Sequence, residues 1–226
     1  PQYSGRDVEK KVFARIAEYM KARGVELIKT RVDTRFEAKV RLLERLGFSK
    51  SEYQNHGMEL NPRVAEEPRV PEGYRIRVAR MPDELETMVR VFNEAFATRE
   101  KYPPMSLERF RRGWVMEEDN HSGFFLAERE EDNEIVGMVL SGISWRYNEE
   151  HGVERGGSYA LAVVPSERRK GLGTALTLKS VEWTRKKGMD IAYVSVNAAN
   201  LDAVRIYRAM GYQTVQVYQG YQRALA

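Results

Sequence analysis

The spacing of hydrophobic positions changes period several times along the chain, and each change marks an element. Apolar and polar residues alternate from Tyr74 to Arg80, as in a half-buried strand. From Pro82 to Ala97 the period becomes helical, with Leu85, Met88, Val89, Val91, Phe92 and Phe96 on one broad face. A shorter helix is predicted from Ser106, whose hydroxyl suits an N-cap, to about Met116. Phe124–Glu128 and Glu134–Ile143 read as strands joined by an Asp132-Asn133 turn. Tyr159–Val164 is a third apolar run. It is followed by a glycine-containing turn, a helix to about Lys187, a strand over Ile191–Val196, a helix to about Met210, and strand material to the end. The order predicted from residue 74 onward is β-α-α-β-β-β-α-β-α-β. Between Asn61 and Gly73, Pro62, Pro68, Pro71 and Gly73 interrupt both periods, and the segment reads as a linker.

The residues before this linker resemble the end of the chain. Shifted forward by 164 positions without a gap, Val8 meets Leu172, Val12 meets Leu176 and Tyr19 meets Trp183. The same shift brings Gly24 onto Gly188, Leu27 onto Ile191, Val32 onto Val196, Arg41 onto Arg205, Gly47 onto Gly211 and Phe48 onto Tyr212. Shared glycines in an ungapped alignment go beyond a common helical period, so residues 1–60 are read as the closing half of an older duplicate. The expected organisation is a half domain over 1–60, a linker over 61–73 and a complete domain over 74–226.

Composition narrows the chemistry. The 226 residues are 42% hydrophobic and 31% charged, which suits a packed core rather than a disordered chain. There are no cysteines, so disulfides, thiolate metal sites and a cysteine nucleophile are excluded together. His56, His121 and His151 are scattered, and no metal is expected. A net charge of +4 with acids and bases interleaved, as in Glu128-Arg129-Glu130-Glu131-Asp132, argues against a nucleic-acid partner. The longest apolar stretch, Tyr159–Pro165, is too short to span a bilayer, and the expectation is a cytoplasmic protein without a membrane partner.

One stretch concentrates the chemistry: Leu161-Ala162-Val163-Val164-Pro165-Ser166-Glu167-Arg168-Arg169-Lys170-Gly171-Leu172-Gly173-Thr174. A strand running into a glycine turn that opens a helix brings unpaired backbone N–H groups and the positive helix end to one spot, which suits a phosphate. Gly171 and Gly173 allow the main chain to approach an anion closely, and Arg168, Arg169 and Lys170 add positive charge. The Walker pattern is absent, and Leu176 stands where a dinucleotide fingerprint needs a small residue. A second constellation follows, Asn200-x-x-Ala203-x-x-x-Tyr207-x-x-x-Gly211-Tyr212.

With both constellations and the element order, residues 74–226 resemble the GNAT superfamily of CoA-dependent N-acetyltransferases, and the half copy before them resembles tandem-GNAT proteins such as mycothiol synthases. The resemblance implies an α/β fold of α+β type: a central mixed, mostly antiparallel twisted sheet with flanking helices, preceded by a partial GNAT-like half domain. It implies acetyl-CoA as co-substrate and a primary amine of a small molecule or peptide as acceptor, attacked directly in a ternary complex. Strands near Tyr159–Val164 and Ile191–Val196 are expected to splay. The pantetheine arm would pair with main chain at Leu161, Ala162 and Val163, and the amides of Arg169, Lys170, Gly171, Leu172, Gly173 and Thr174 would hold the pyrophosphate beside Arg168. Asn200 matches the family position on the cofactor arm and also suits an N-cap. Tyr207 matches the family's general acid, and N–H groups near Ala162 would face the oxyanion.

Two departures accompany the match. Where many relatives carry a glutamate base, this chain has Gly157; Glu154 stands as a tentative base, with Ser158, Tyr159 or a water chain as substitutes. In the duplicate, Ser4, Asp7 and Glu9 stand opposite Arg168, Gly171 and Gly173, and Phe36 and Leu43 stand opposite Asn200 and Tyr207. The half copy is therefore expected to bind no CoA and to act as a packing partner. The native protein is expected to extend further toward the N-terminus and to be a monomer or homodimer. Trp145, Tyr147 and His151, and the acidic run Glu117-Glu118-Asp119, are candidate acceptor contacts. A non-catalytic acyl-CoA sensor is the alternative reading.

Overall fold

The structure, a computed structural model of the chain, describes residues 7–97, 104–115 and 122–225. Its helices and strands fall into two compact units. The first takes the described residues up to Gly57, Val196–Leu201 and the chain from Thr214. The second takes Met58–Ser195 and Asp202–Gln213, so the proline-containing segment 61–73 lies within it.

In the first unit, α1 (Val8–Lys21), β1 (Leu27–Asp33), α2 (Glu37–Arg45) and β2 (Ser49–Leu60) follow one another, and the last strand of the chain, β8 (Gln213–Ala224), joins them. The strand order is β1-β8-β2, and β1 runs antiparallel to β8 from Leu27↔Ala224 to Asp33↔Tyr218. Its small core is Val32, Phe48 and Tyr221, with Phe13, Ile28, Val40, Leu43 and Leu46 packed on it. The ring of Phe13 meets that of Phe48 edge-on at 5.4 Å, which fixes α1 to the unit through one face.

The second unit holds β3 (Tyr74–Val78), α3 (Leu85–Phe96), α4 (Leu107–Trp114), β4 (Phe124–Arg129), β5 (Ile135–Ile143), α5 (Trp145–His151), β6 (Arg155–Val163), α6 (Leu172–Lys186), β7 (Ile191–Asn197) and α7 (Leu201–Ala209). Strand order is β7-β6-β5-β4-β3, antiparallel except for the β6–β7 pair. Every residue of β5 is buried, as expected for a central strand covered on both faces. α3 contributes Leu85, Met88, Val91, Phe92 and Ala95 to this core and α6 contributes Leu172, Leu176 and Trp183. Ser106 caps α4 as its sequence predicts, its hydroxyl accepting from the Arg109 N–H at 3.2 Å. The predicted end of that helix at Met116 lies outside the described residues.

Ion pairs secure the second unit where strands meet helix starts. The Arg77 guanidinium donates both Nη groups to Glu84 (2.7 and 2.8 Å), just before α3, and its Nε to Glu128 on β4 (2.6 Å). Hydrogen bonds from Arg77 hold the Glu84 carboxyl down at about 2.

The spacing seen in the sequence recurs in the backbone. Shifting by 164 carries β1 onto β7, α2 onto α7 and β2 onto β8 end to end, and α1 onto α6 to within one residue. Helix ends repeat too: Val25 N–H to Met20 O recurs as Met189 N–H to Thr184 O, and Phe48 N–H to Leu43 O as Tyr212 N–H to Tyr207 O. The glycines that allow these left-handed terminations, Gly24 and Gly188, Gly47 and Gly211, all have φ between 75° and 92°.

Candidate functional site

The parallel pairing of β6 with β7 runs from Arg155↔Ile191 only to Ser158↔Val194. On its other side β6 continues against β5 to Gly137↔Val163. The register of that pair slips between Leu140↔Ala160 and Ser141↔Ser158, which makes Tyr159 an extra residue on β6. A bulge bends the strand that carries it, and here the bend coincides with the end of the β7 pairing, so the two strands part beyond it. The Val164 N–H donates to Val136 O at 2.9 Å, which sets the phase of the ladder. Ala160 and Ala162 then direct their main-chain groups to β5, and Leu161 and Val163 direct theirs toward the gap. Near Ala162, where the oxyanion donors are expected, its own N–H is engaged with β5, and the N–H groups that face the gap are those of Leu161 and Val163.

At the end of β6 a single 3-10 turn, Pro165–Glu167, leads to Arg168 in extended conformation, Arg169 at φ 66° and Gly171 at φ 90°, from which α6 begins. The N–H groups of Glu167 and Arg168 donate to Val164 O and Pro165 O, and the next donor inside the protein is Ala175, to Gly171 O. Among the described residues the N–H groups of Arg169, Lys170, Gly171, Leu172, Gly173 and Thr174 have no protein acceptor. These six donors lie at the positive end of a 15-residue helix, a geometry suited to an anion. At Gly173 a Cβ would meet only Ile206 Cδ1, at 3.7 Å, so protein packing does not demand the glycine.

The basic side chains of the turn do not all point outward. Arg168 donates through Nε to Val163 O (3.1 Å) and through Nη2 to Ala95 O, tying β6 to the end of α3. Lys170 is paired to the buried Glu167 at 2.8 Å, and the same carboxylate accepts from Arg129 at 2.7 Å and from the Tyr74 hydroxyl. These partners, Lys170 first, hold the Glu167 carboxyl below the usual carboxylate range. The turn is thus anchored to β3 and β4 through one buried acid. Arg169 is 84% accessible and its guanidinium stands 3.8 Å from Asp202 in the first turn of α7.

Tyr207 lies in α7, the helix whose Ile206 flanks Gly173. It is buried, its ring meets that of Tyr212 edge-on at 5.5 Å, and burial pushes its hydroxyl up to about 12. Among the described residues that hydroxyl has no hydrogen-bond partner. Asn200 immediately precedes α7, half-buried, with its N–H bonded to Asn197 O at 2.9 Å.

The sequence candidates for a base are placed differently. Glu154 precedes β6 at the end remote from the splay, roughly 25 Å along the strand from Ala162 at about 3.3 Å per residue. It borders a cleft of about 440 Å³ with Trp145, Asn148, Glu149, Gly152 and Val153, and it is not brought to the gap. At Gly157 a Cβ would stand 1.9 Å from the Tyr193 carbonyl oxygen, so no side chain fits there. Ser158 contacts the Ser180 hydroxyl at 3.0 Å, and Ser180 accepts from Ser141 at 2.7 Å. Tyr147 and His151 stack at 3.9 Å, and Tyr147 and Tyr193 each face the Arg155 guanidinium, so Tyr147 and His151 are engaged in a packed column. Glu117, Glu118 and Asp119, and Ser4 of the half copy, lie outside the described residues.

Glu167 was not among the sequence candidates, although its three-residue spacing from Lys170 is the signal of a local ion pair.

Comparison with known proteins agrees with this geometry. The model of the Acetyltransferase (GNAT) family matches residues 85–212. A mycothiol acetyltransferase of Thermobispora bispora is 32% identical over 160 residues, covering 69% of this chain and 52% of that protein. The chain spans a little over half the length of the mycothiol acetyltransferases it matches. Among solved structures, a GCN5-related N-acetyltransferase of Sphaerobacter thermophilus superposes with a TM-score of 0.78 at 19% identity, over all of this chain and 70% of that one. A tandem GNAT protein from the clavulanic acid biosynthesis pathway gives 0.74 at 13% identity, over all of this chain and 72% of its own. At such identities the structural likeness speaks for the fold.

Proposed function

Because the chain belongs to the GNAT acetyltransferase family, we propose that it transfers an acetyl group from acetyl-CoA to a primary amine of a small molecule or peptide, by direct attack within a ternary complex. The observation that carries this reading is the run of six unpaired N–H groups from Arg169 to Thr174, next to a strand edge opened by the Tyr159 bulge. The turn would hold the diphosphate of CoA, with Arg169 adding charge. Leu161 and Val163 would pair with the amide-bearing arm, as a strand pairs with a neighbour.

The reaction forms an N–C bond and breaks a C–S bond. The amine loses a proton, and the departing sulfur gains stabilisation or a proton. Whichever of the gap-facing N–H groups of Leu161 and Val163 the arm leaves unpaired would stabilise the charge that develops on the thioester oxygen. Tyr207, protonated at any physiological pH, would hold its Oη proton toward the sulfur. With no side chain possible at position 157, the amine would arrive neutral and, after attack, pass its surplus proton to water, while the departing sulfur takes a proton from Tyr207, which water restores.

The test is release of free CoA thiol from acetyl-CoA across a panel of amines. Turnover with at least one amine supports the transferase reading. Tight acetyl-CoA binding with no turnover on any of them would instead favour an acyl-CoA sensor, a reading motivated by the absent side chain at Gly157.

A further inference from the structure

Arg155, the first residue of β6, is 7% exposed and forms no ion pair with a described carboxylate. Its Cζ stands 3.4 Å from the centre of the Tyr147 ring and 4.2 Å from that of Tyr193. Such stacking serves the faces of a guanidinium, but its N–H donors lie in the plane and point outward from the edge. Among the described residues none of these donors has an acceptor, and Nε is enclosed without one. The two Nη atoms are not enclosed, so the edge that carries them is open to a ligand. A cation buried to this degree calls for an anion.

The strand fixes where that anion would sit. Gly156 and Ser158 turn toward α6: a Cβ at 156 would meet Thr184 Cγ2 at 3.2 Å, and the Ser158 hydroxyl meets that of Ser180 at 3.0 Å. By alternation Arg155 belongs to the opposite face of the sheet. Tyr193 is in register with Gly157, so the guanidinium beside its ring leans along β6 toward the gap. From Gly157 to Leu161, the first residue whose N–H faces the gap, the strand advances roughly 13 Å at about 3.3 Å per residue. A single guanidinium with a free two-pronged edge suits a carboxylate, taken in two parallel N–H···O bonds.

We propose that Arg155, held by the rings of Tyr147 and Tyr193, binds a carboxylate of the acceptor. The acceptor class is then an amine that carries a carboxylate about four extended residues away, as a short peptide does. This assignment rests on the acetyl-transfer reading above and narrows it.

Tetraglycine and its C-terminal amide test the assignment, their extended length being about 13 Å. The readout that needs no chemistry is the Arg155 Nε–Hε resonance in protein saturated with CoA, identified by its loss in Arg155→Met. Tetraglycine should shift this resonance, and the amide at equal concentration should not. With acetyl-CoA, kcat/KM for tetraglycine should exceed that for its amide by about tenfold or more, chiefly through KM. Glycylglycine and its amide, too short for the span, should differ by less than about threefold, and Arg155→Met should bring the tetraglycine ratio into the same range. The acid–amide comparison on the unsubstituted protein requires no variant to fold. A resonance that ignores tetraglycine, or equal kcat/KM for acid and amide, would overturn the proposal, and turnover of other amines would then leave the transfer reading intact. A shift by tetraglycine with no turnover of any amine would support the carboxylate site and remove the transfer reading instead.

Discussion

Replacing Gly157 by alanine tests both the splay and the absence of a strand-borne base. A Cβ at this position stands 1.9 Å from Tyr193 O, 2.8 Å from Tyr193 C and 3.0 Å from Tyr193 N. All three are backbone atoms of β7, so relief requires the strands to separate, since no side chain can rotate away. The oxygen must retreat by more than an ångström, within the four-residue stretch Arg155–Ser158 that holds β6 to β7. Overpacking of this kind costs about 3 kcal/mol when the neighbour cannot give. For a chain of this length that corresponds to a fall in Tm of roughly 6 to 12 °C. Thermal unfolding followed by circular dichroism measures it. Gly157→Glu should lose as much stability and gain no turnover, because the position cannot carry a side chain. A Tm for Gly157→Ala within about 2 °C of the parent would refute the reasoning, since β7 would then have to lie farther from β6.

Three other substitutions probe separate parts of the account. Tyr207→Phe should lower kcat about 100-fold, the usual size of one acid contribution, with acetyl-CoA affinity nearly unchanged; equal rates would remove Tyr207 from the chemistry. Its raised hydroxyl favours the folded state fully below about pH 10, and that contribution is lost as pH climbs toward about 12, so the phenylalanine variant should show a shallower alkaline fall in stability. Glu84, held at about 2 by Arg77, contributes stability above its ordinary value near 4.5 that disappears as pH falls to about 2. Glu84→Gln should flatten acid unfolding across that window, and an unchanged acid limb would contradict the Arg77 bridge. Arg169→Gln should weaken acetyl-CoA binding by about twofold to fivefold in calorimetry at low salt, with less effect at high salt and none on Tm. A larger loss that salt does not reduce would mean that Arg169 makes a buried contact.

What the sequence disclosed and what it concealed divide along physical lines. Local signals were legible: the Ser106 cap, the glycine that opens α6, and the helix terminations at Gly24, Gly47, Gly188 and Gly211 that recur at one spacing. The short helix α5, Trp145–His151, was not predicted; seven residues closed by Gly152 at φ 64° are too few to establish a period. The bulge at Tyr159 depends on register with β5, which no run of residues within β6 encodes. The partners of Lys170 and Arg168 were not legible because they depend on tertiary placement: Glu167 is buried with Arg129 and Tyr74 from distant strands, and Ala95 O is presented by α3. Glu154 was drawn toward the site by its nearness to Gly157 in sequence, whereas an extended strand carries it away.

Amide hydrogen exchange at Arg169–Thr174, with and without saturating acetyl-CoA, addresses the unpaired N–H groups on which the functional reading rests. These six amides should exchange rapidly in the free protein and slow by about tenfold or more when the ligand binds, while exposed amides elsewhere stay unchanged. Slow exchange in the free protein, or bound acetyl-CoA that leaves their rates unaltered, would contradict the account.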